Sequence, residues 1–80
     1  MEERSVTWVR AYGRVGLCLR ERMEERGLTR NHLARLVNTR YEVIDKWYKN
    51  EVEKIDADIL ARLCFVLDCK VEELLVYRQN

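Results

Sequence analysis

One stretch of the chain has the largest excess of positive over negative charge, where it could neutralise a polyanion. Residues 29–50 carry five basic side chains and two acidic ones, whereas residues 51–80 carry four basic and seven acidic ones. The formal net charge of the whole chain is only +1. Basic side chains gathered on one segment are typical of a phosphate-binding surface. Because a solvated helix face gives a similar mixture of charges, charge alone leaves the function open.

The same stretch has the spacing of two short helices joined by a tight turn. Asn38 falls at the turn, where a left-handed backbone is best tolerated by Gly and next best by Asn. Ala34 is small enough to let the second helix cross closely, and Ile44 is placed to fill the crossing. The apolar positions that would face one another are Leu33, Ala34, Val37, Ile44 and Trp47. This pattern predicts a helix-turn-helix over residues 29–50, a unit that lays its second helix in the DNA major groove.

Capping residues and apolar periodicity extend the prediction along the chain. The expected caps are Thr29, Thr39 and Asp56 at helix N-termini and Gly27 at a C-terminus. The predicted helices are Leu17–Arg26, Arg30–Val37, Arg40–Lys49, one that follows Asp56, and a final turn over Val71–Leu75. The apolar stripe of the fourth helix is Ile59, Leu60, Leu63, Cys64 and Leu67. Trp47 is expected in the core and Tyr48 half exposed.

The chain resembles the small bacterial and phage regulators of the Cro/C1 repressor (XRE) type, in their minimal, single-domain form. The likeness runs from about Val15 to Tyr77 and rests on ERGLTRNHLARLVN, on IDADILARLCFVLDCKVEELL and on the Ile44 and Trp47 pair. It implies an all-α, five-helix fold, in which the strand-like segments Arg14–Leu17 and Leu75–Arg78 can pair. It also implies a sequence-specific transcriptional regulator that binds double-stranded DNA as a homodimer on an inverted repeat.

The resemblance assigns the DNA contacts to the start of helix 2 and the exposed N-terminal half of helix 3. The candidate DNA-binding residues are Arg30, Asn31, Arg40, Tyr41, Glu42, Asp45, Lys46 and Lys49. Arg40 is expected to bond O6 and N7 of a guanine with its planar fork. Tyr41 would stack or bond a phosphate, and Lys46 and Lys49 suit backbone phosphates. The start of helix 2 would meet phosphate with the help of its N-terminal amides.

Two acids, Glu42 and Asp45, depart from what the resemblance implies for the outward face of helix 3. Glutamate can accept a hydrogen bond from cytosine N4, so an acid can take part in base recognition. Two carboxylates still oppose binding to a polyanion. They therefore favour an alternative function, in which the chain is a protein-interaction module or an antitoxin-like partner that retains the helix-turn-helix fold.

The N-terminal residues 1–14 are expected to form an arm or strand in front of the helix-turn-helix domain at residues 15–80. The segment from Val6 to Tyr12 is rich in β-branched and aromatic residues. One interpretation is a β-ribbon with an aromatic patch that dimerises the protein. The other is a frayed arm whose Trp8 and Tyr12 cover the core, since termini are mobile unless they are held.

Other classes of function find little support in the sequence. The three cysteines lack CxxC spacing and lie among apolar residues, and His32 is the only histidine, so no metal site is predicted. No catalytic constellation or glycine-rich phosphate loop is present, so neither an enzyme nor a cofactor is expected. There is no signal peptide and no apolar run long enough for a membrane span, which favours the cytoplasm. Eighty residues leave no room for a separate domain that binds a small molecule.

Overall fold

Four α-helices and a two-stranded antiparallel sheet make up the part of the chain that the structure, a computed structural model, describes: residues 4–6 and 12–79. In chain order the elements are β1 (Arg14–Leu17), α1 (Leu19–Arg26), α2 (Arg30–Val37), α3 (Tyr41–Tyr48), α4 (Ala57–Leu67), a 3-10 turn (Val71–Glu73) and β2 (Leu75–Arg78). Of the predicted arm, residues 1–14, the structure describes only residues 4–6 and 12–14.

Local sequence sets several helix ends as predicted. The Thr29 hydroxyl oxygen accepts the His32 N–H at 3.1 Å, and the Asp56 carboxylate accepts the Asp58 N–H at 2.8 Å, so both cap a free N–H at a helix start. Gly27 ends α1 with φ 65°, in the left-handed region that an L side chain disfavours. The predicted bounds of α2 are confirmed without change.

The start of α1 and the cap of α3 were predicted wrongly. Leu17 belongs to β1 and pairs with Leu75, so α1 begins only at Leu19. Thr39 does not cap α3, because its N–H bonds back to the Ala34 carbonyl at 3.0 Å and thus completes the end of α2. Arg40 takes the N-cap position, with an extended backbone and no side-chain cap.

The expected fifth helix is a single 3-10 turn, so neither the five-helix count nor a purely all-α fold is matched. Asp68 ends α4 in the left-handed region, with φ 49°. The Glu73 carboxylate then accepts the Lys70 N–H at 2.7 Å and tightens the turn. Because Leu75 already belongs to β2, too few residues remain for an α-helix.

The sheet joins the two ends of the domain, as the resemblance implied. Its antiparallel register pairs Arg14 with Arg78 and Leu17 with Leu75. Gly13, just before β1, is buried at a close approach: an added Cβ would lie 1.9 Å from the Arg78 carbonyl oxygen. The N-terminal segment is thereby held against the C-terminal strand.

A single apolar core holds the helices and the sheet together. Its fully buried side chains are Leu19, Met23, Leu33, Ile44, Leu63, Leu67 and Leu74. Trp47 is 3% exposed, which confirms its predicted place in the core, and Tyr48 is half-buried as expected. In the predicted stripe of α4, Leu63 and Leu67 are buried, whereas the other members are half-buried. The core lies along one side of α2 and α3, and Asn31, Arg40, Glu42 and Lys46 on these two segments are exposed.

Candidate nucleic-acid interface

The crossing of α2 and α3 has the geometry that the sequence predicted. Ala34 is 4% exposed and Ile44 is fully buried, so a small and a branched side chain occupy the crossing. Asn38 adopts φ 57° and ψ 54°, the left-handed conformation expected at the turn. The recognition helix of the motif, α3, is therefore fixed to α2 by packing and by backbone geometry.

A contact from α4 holds the turn from the other side. Nη1 of Arg62 donates hydrogen bonds to the backbone carbonyls of Val37 and Asn38, at 3.3 and 3.1 Å. A second guanidinium nitrogen of Arg62 lies 2.7 Å from the Asp58 carboxylate. These carbonyls belong to the end of α2, where the helix leaves acceptors without intrahelical donors. The angle between α2 and α3 thus depends on a residue outside the helix-turn-helix segment.

The outward face of α3 exposes four of the candidate DNA-binding residues. Arg40, Tyr41, Glu42 and Lys46 are all exposed, and Arg40, Glu42 and Lys46 line one shallow depression together with Val43. No ion pair neutralises Arg40, Glu42 or Lys46 within the described part of the chain. Glu42 lies in the first turn of α3, where a negative charge also stabilises the helix dipole.

The start of α2 contributes a cation that stacks on aromatic rings. The Arg30 guanidinium carbon lies 4.6 Å from the ring centre of Tyr48 and 5.9 Å from that of Tyr41. The guanidinium of Arg20 in α1 also lies 5.4 Å from the centre of the Tyr48 ring. Such contacts hold a flexible cationic side chain in place while its charge stays accessible. Asn31, the neighbouring candidate, is exposed.

Asp45 was expected to face outward as a repulsive acid, and here the structure differs. Its side chain is only 20% exposed, and its two carboxylate oxygens lie 2.6 Å from Arg30 Nη1 and 3.0 Å from Lys49 Nζ. The hydrogen bond from Lys49, aided by that from Arg30, holds the pKa of Asp45 below its ordinary value. The same bond raises the pKa of Lys49. Asp45 thus joins two cations, and Glu42 is left as the one unpaired acid among the candidate residues.

The resulting surface combines fixed cations with exposed hydrogen-bonding groups. Asp45 holds Arg30 and Lys49, whereas Arg40 and Lys46 are exposed and have no ion pair among the described residues. Cations held in place by an ion pair are suited to phosphates at fixed positions. An unpaired guanidinium is suited to hydrogen bonds with the edge of a base. Arg20, Tyr48 and Arg62 were missed as parts of this arrangement, because they come together with it only through the tertiary fold.

The described residues also include cysteines and acidic side chains, which hold metal ions in other proteins. Cys18, Cys64 and Cys69 are free and half-buried, and burial raises the pKa of the Cys69 thiol. Across residues 4–6 and 12–79, no cluster of three histidine, cysteine or acidic side chains is arranged to hold a metal ion. No helix in these ranges is long and apolar enough to cross a membrane.

Comparison with known proteins decides the family. A model of the Cro/C1-type helix-turn-helix DNA-binding domain matches residues 18–80, most of the chain. The chain belongs to this Cro/C1-type family. It is a family of DNA-binding domains, and the match includes every element from α1 to β2.

Solved structures add support for the fold. The chain is similar to a crystal structure of a candidate DNA-binding protein from Bacteroides fragilis, with a TM-score of 0.70 and 17% sequence identity. The alignment covers 79% of this chain and 100% of the Bacteroides chain. At that identity the likeness concerns the fold alone. No curated protein matches the chain.

Proposed function

We propose that the protein is a sequence-specific transcriptional regulator that binds double-stranded DNA through α3, as a dimer on an inverted repeat. The observation that carries this proposal is the exposed face of α3. Arg40 and Lys46 line one shallow depression there and have no ion pair among the described residues, while Asp45 on the same helix holds Arg30 and Lys49. Membership of a DNA-binding family supports it. The cytoplasm is the compartment that we expect for such a regulator.

Each part of the surface has its own role in the proposal. Arg40, at the N-cap of α3, leads into the major groove and bonds a guanine. Tyr41 and Lys46 flank it, and Asn31 meets a phosphate beside the amides at the start of α2. Arg30 and Lys49 bind phosphates from fixed positions, because Asp45 and the Tyr48 ring restrict their motion. The start of α2 and the end of α3 therefore set the register, and the face between them reads bases.

The experiment that tests the proposal has two stages. First, fluorescence anisotropy with random double-stranded DNA at several salt concentrations should show affinity that falls as salt rises, because bound cations displace counterions from phosphate. Second, selection from a randomised duplex library should enrich an inverted repeat with half-sites about one helical turn, roughly 10 base pairs, apart. Absence of salt-dependent binding even at low ionic strength would refute the proposal.

A protein-interaction or antitoxin-like function remains the second candidate, and one observation favours it. Phe65 on α4 is 86% exposed, and Leu36 on α2 beside it is 49% exposed. An apolar patch of this kind on a helical surface is typical of a protein contact. If library selection enriches no sequence while the Phe65→Glu variant loses a binding partner that the wild type retains, this second function takes precedence.

A further inference from the structure

The free edge of the sheet follows from the hydrogen bonds of β1. In an antiparallel pair, successive residues of a strand turn their N–H and C=O groups alternately toward and away from the partner strand. The Leu17 N–H points away from β2, since it donates to Asn50 Oδ1 at 3.0 Å. The N–H of the next residue, Cys18, points the opposite way, toward the segment that leads into β2, and donates to the Leu74 carbonyl at 2.8 Å.

This alternation fixes which groups of β2 face outward. Gly16 and Val76 are opposite each other and exchange hydrogen bonds across the ribbon, as the register requires. Leu75 and Tyr77 must then direct their N–H and C=O groups away from β1. In the described part of the chain these main-chain groups have no hydrogen-bond partner. The outer edge of β2 is therefore a row of two donors and two acceptors without partners.

The sheet is also too small to be stable as a ribbon alone. It has two strands of four residues each, and an isolated two-stranded ribbon is marginal in water. Its outer end exposes apolar surface, because Tyr77 is 57% and Val15 52% exposed. An exposed edge with apolar side chains is a template for a further strand.

We propose that β2 pairs antiparallel with β2 of a second copy of this chain, across a twofold axis through Val76, to form a four-stranded sheet. With Val76 opposite the partner's Val76, Leu75 faces the partner's Tyr77 as a hydrogen-bonded pair. All four outward donors and all four outward acceptors of the two copies are satisfied in this register. With a twofold axis, the same strand edge of both copies forms the interface. A parallel pairing of identical strands does not allow this.

Charge along the chain supports a second copy as the occupant. The approach to β2 carries the exposed acid Glu72, and its far end carries the exposed Arg78. In this register Arg78 lies opposite the partner's Leu74, two positions from the partner's Glu72, and the twofold axis repeats this arrangement. Within one copy, Arg78 stands opposite Arg14, and neither has an ion pair among the described residues. Like charges directly opposite destabilise a sheet, so an acid from the partner removes that cost.

This inference rests on the proposed function, since the dimer is the form that reads an inverted repeat. Sedimentation of the full-length protein tests it directly, with Tyr77→Pro as the disrupting change. Proline at position 77 removes an outward main-chain N–H that makes no hydrogen bond within the ribbon of one copy. Edge strands tolerate proline at such positions. We expect the dimer dissociation constant to rise by about tenfold or more, because each copy loses one hydrogen bond. Tyr77→Val, which keeps the N–H, is the matched control and should dissociate less.

A charge-exchange experiment tests the same interface if the Tyr77→Pro variant does not fold. Arg78→Glu and Glu72→Lys should each weaken the dimer, and the double variant should restore it, with unchanged circular dichroism throughout. A monomeric wild type at high concentration would overturn the inference. So would a dimer that survives Tyr77→Pro and Arg78→Glu but is lost in Phe65→Glu, since that result assigns the interface to α2 and α4.

The two proposals fail separately. A monomer that shows salt-dependent DNA binding would leave DNA binding through α3 in place and remove both the strand-paired dimer and the dimeric form of the proposed regulator. A strand-paired dimer without DNA binding would leave the interface in place and remove the proposed function.

Discussion

Arg30 Nη1 lies 2.6 Å from Asp45 Oδ1, and this contact joins the first turn of α2 to the side of α3. It links two residues 15 positions apart in the chain. Since Lys49 bonds the other oxygen of the same carboxylate, one acid positions a cation on each helix. An acid on a surface proposed to bind DNA thereby acts as a support for its neighbours.

Replacement of Asp45 by Asn should remove a stabilisation that depends on pH. The pKa of Asp45 is lowered in the folded protein, so its stabilisation is complete above the unfolded-state pKa of about 3.9 and disappears as the pH falls through the lower folded value. The difference in free energy of unfolding between wild type and Asp45→Asn should therefore be constant at neutral pH and vanish in acid. Urea denaturation from pH 7 down to about pH 2 measures it. Glu42→Gln, at an unpaired acid, is the control, and an equally large acid-dependent difference there would contradict this assignment.

Arg40→Ala should change sequence preference, because a guanidinium that bonds a base edge specifies that base. We expect a loss of roughly 1–3 kcal/mol on the selected site and a relaxed preference at one base pair. Competition binding with single-base variants of the site measures both. An equal loss of affinity for specific and random DNA would mean that Arg40 contacts a phosphate and not a base.

Lys49→Ala should weaken specific and random DNA about equally and reduce the slope of log affinity against log salt by about one. Because Lys49 also bonds Asp45, Lys46→Ala is the matched control for a lysine without an ion pair on the same helix. If Lys49 acts only through Asp45, Asp45→Asn will reproduce its effect and Lys46→Ala will show the ordinary loss of one phosphate contact.

Glu42→Gln should tighten binding to every DNA sequence. Its carboxylate is exposed and has no ion pair among the described residues, so it repels phosphate without compensation. Anisotropy titrations on the selected and random duplexes measure the effect. A fall in the ratio of specific to random affinity would instead show that Glu42 accepts a hydrogen bond from a cytosine.

Trp47→Ala should destabilise the domain by roughly 3–5 kcal/mol, a large part of the stability of so small a protein. The side chain is 3% exposed and packs among the core residues between α3 and the rest of the domain. Chemical denaturation measures the loss. A change below about 1 kcal/mol would mean that the core closes over the missing ring with little cost.

Local rules explain what the sequence predicted well. The turn at Asn38 and the caps at Thr29 and Asp56 depend on neighbours within a few residues, and all three are confirmed. The start of α1 and the missing cap at Thr39 depend on distant partners. Leu17 is kept in a strand by Leu75, 58 positions later in the numbering, and helical propensity at Leu17 holds no information about that contact.

The candidate site was predictable in its residue types and not in its pairings. The family resemblance was enough to place Arg40 and Lys46 on an exposed helix face. The bond between Arg30 and Asp45, and the stacking of Arg30 on Tyr48, require the crossing angle of two helices. The predicted roles of these residues toward DNA, and the predicted role of residues 1–14, stay predictions.

Arg62 donates hydrogen bonds to the carbonyls of Val37 and Asn38, so the helix-turn-helix formed by α2 and α3 depends on α4, the helix that follows it. Local opening of α4 would release the turn, so α2, α3 and α4 should exchange their amide hydrogens as one cooperative unit. A graft of residues 29–50 into a foreign scaffold would carry the side chains proposed to bind DNA but lose the donor that holds the angle between their helices. Transfer of sequence specificity by such a graft should therefore require an arginine at the corresponding place in the host.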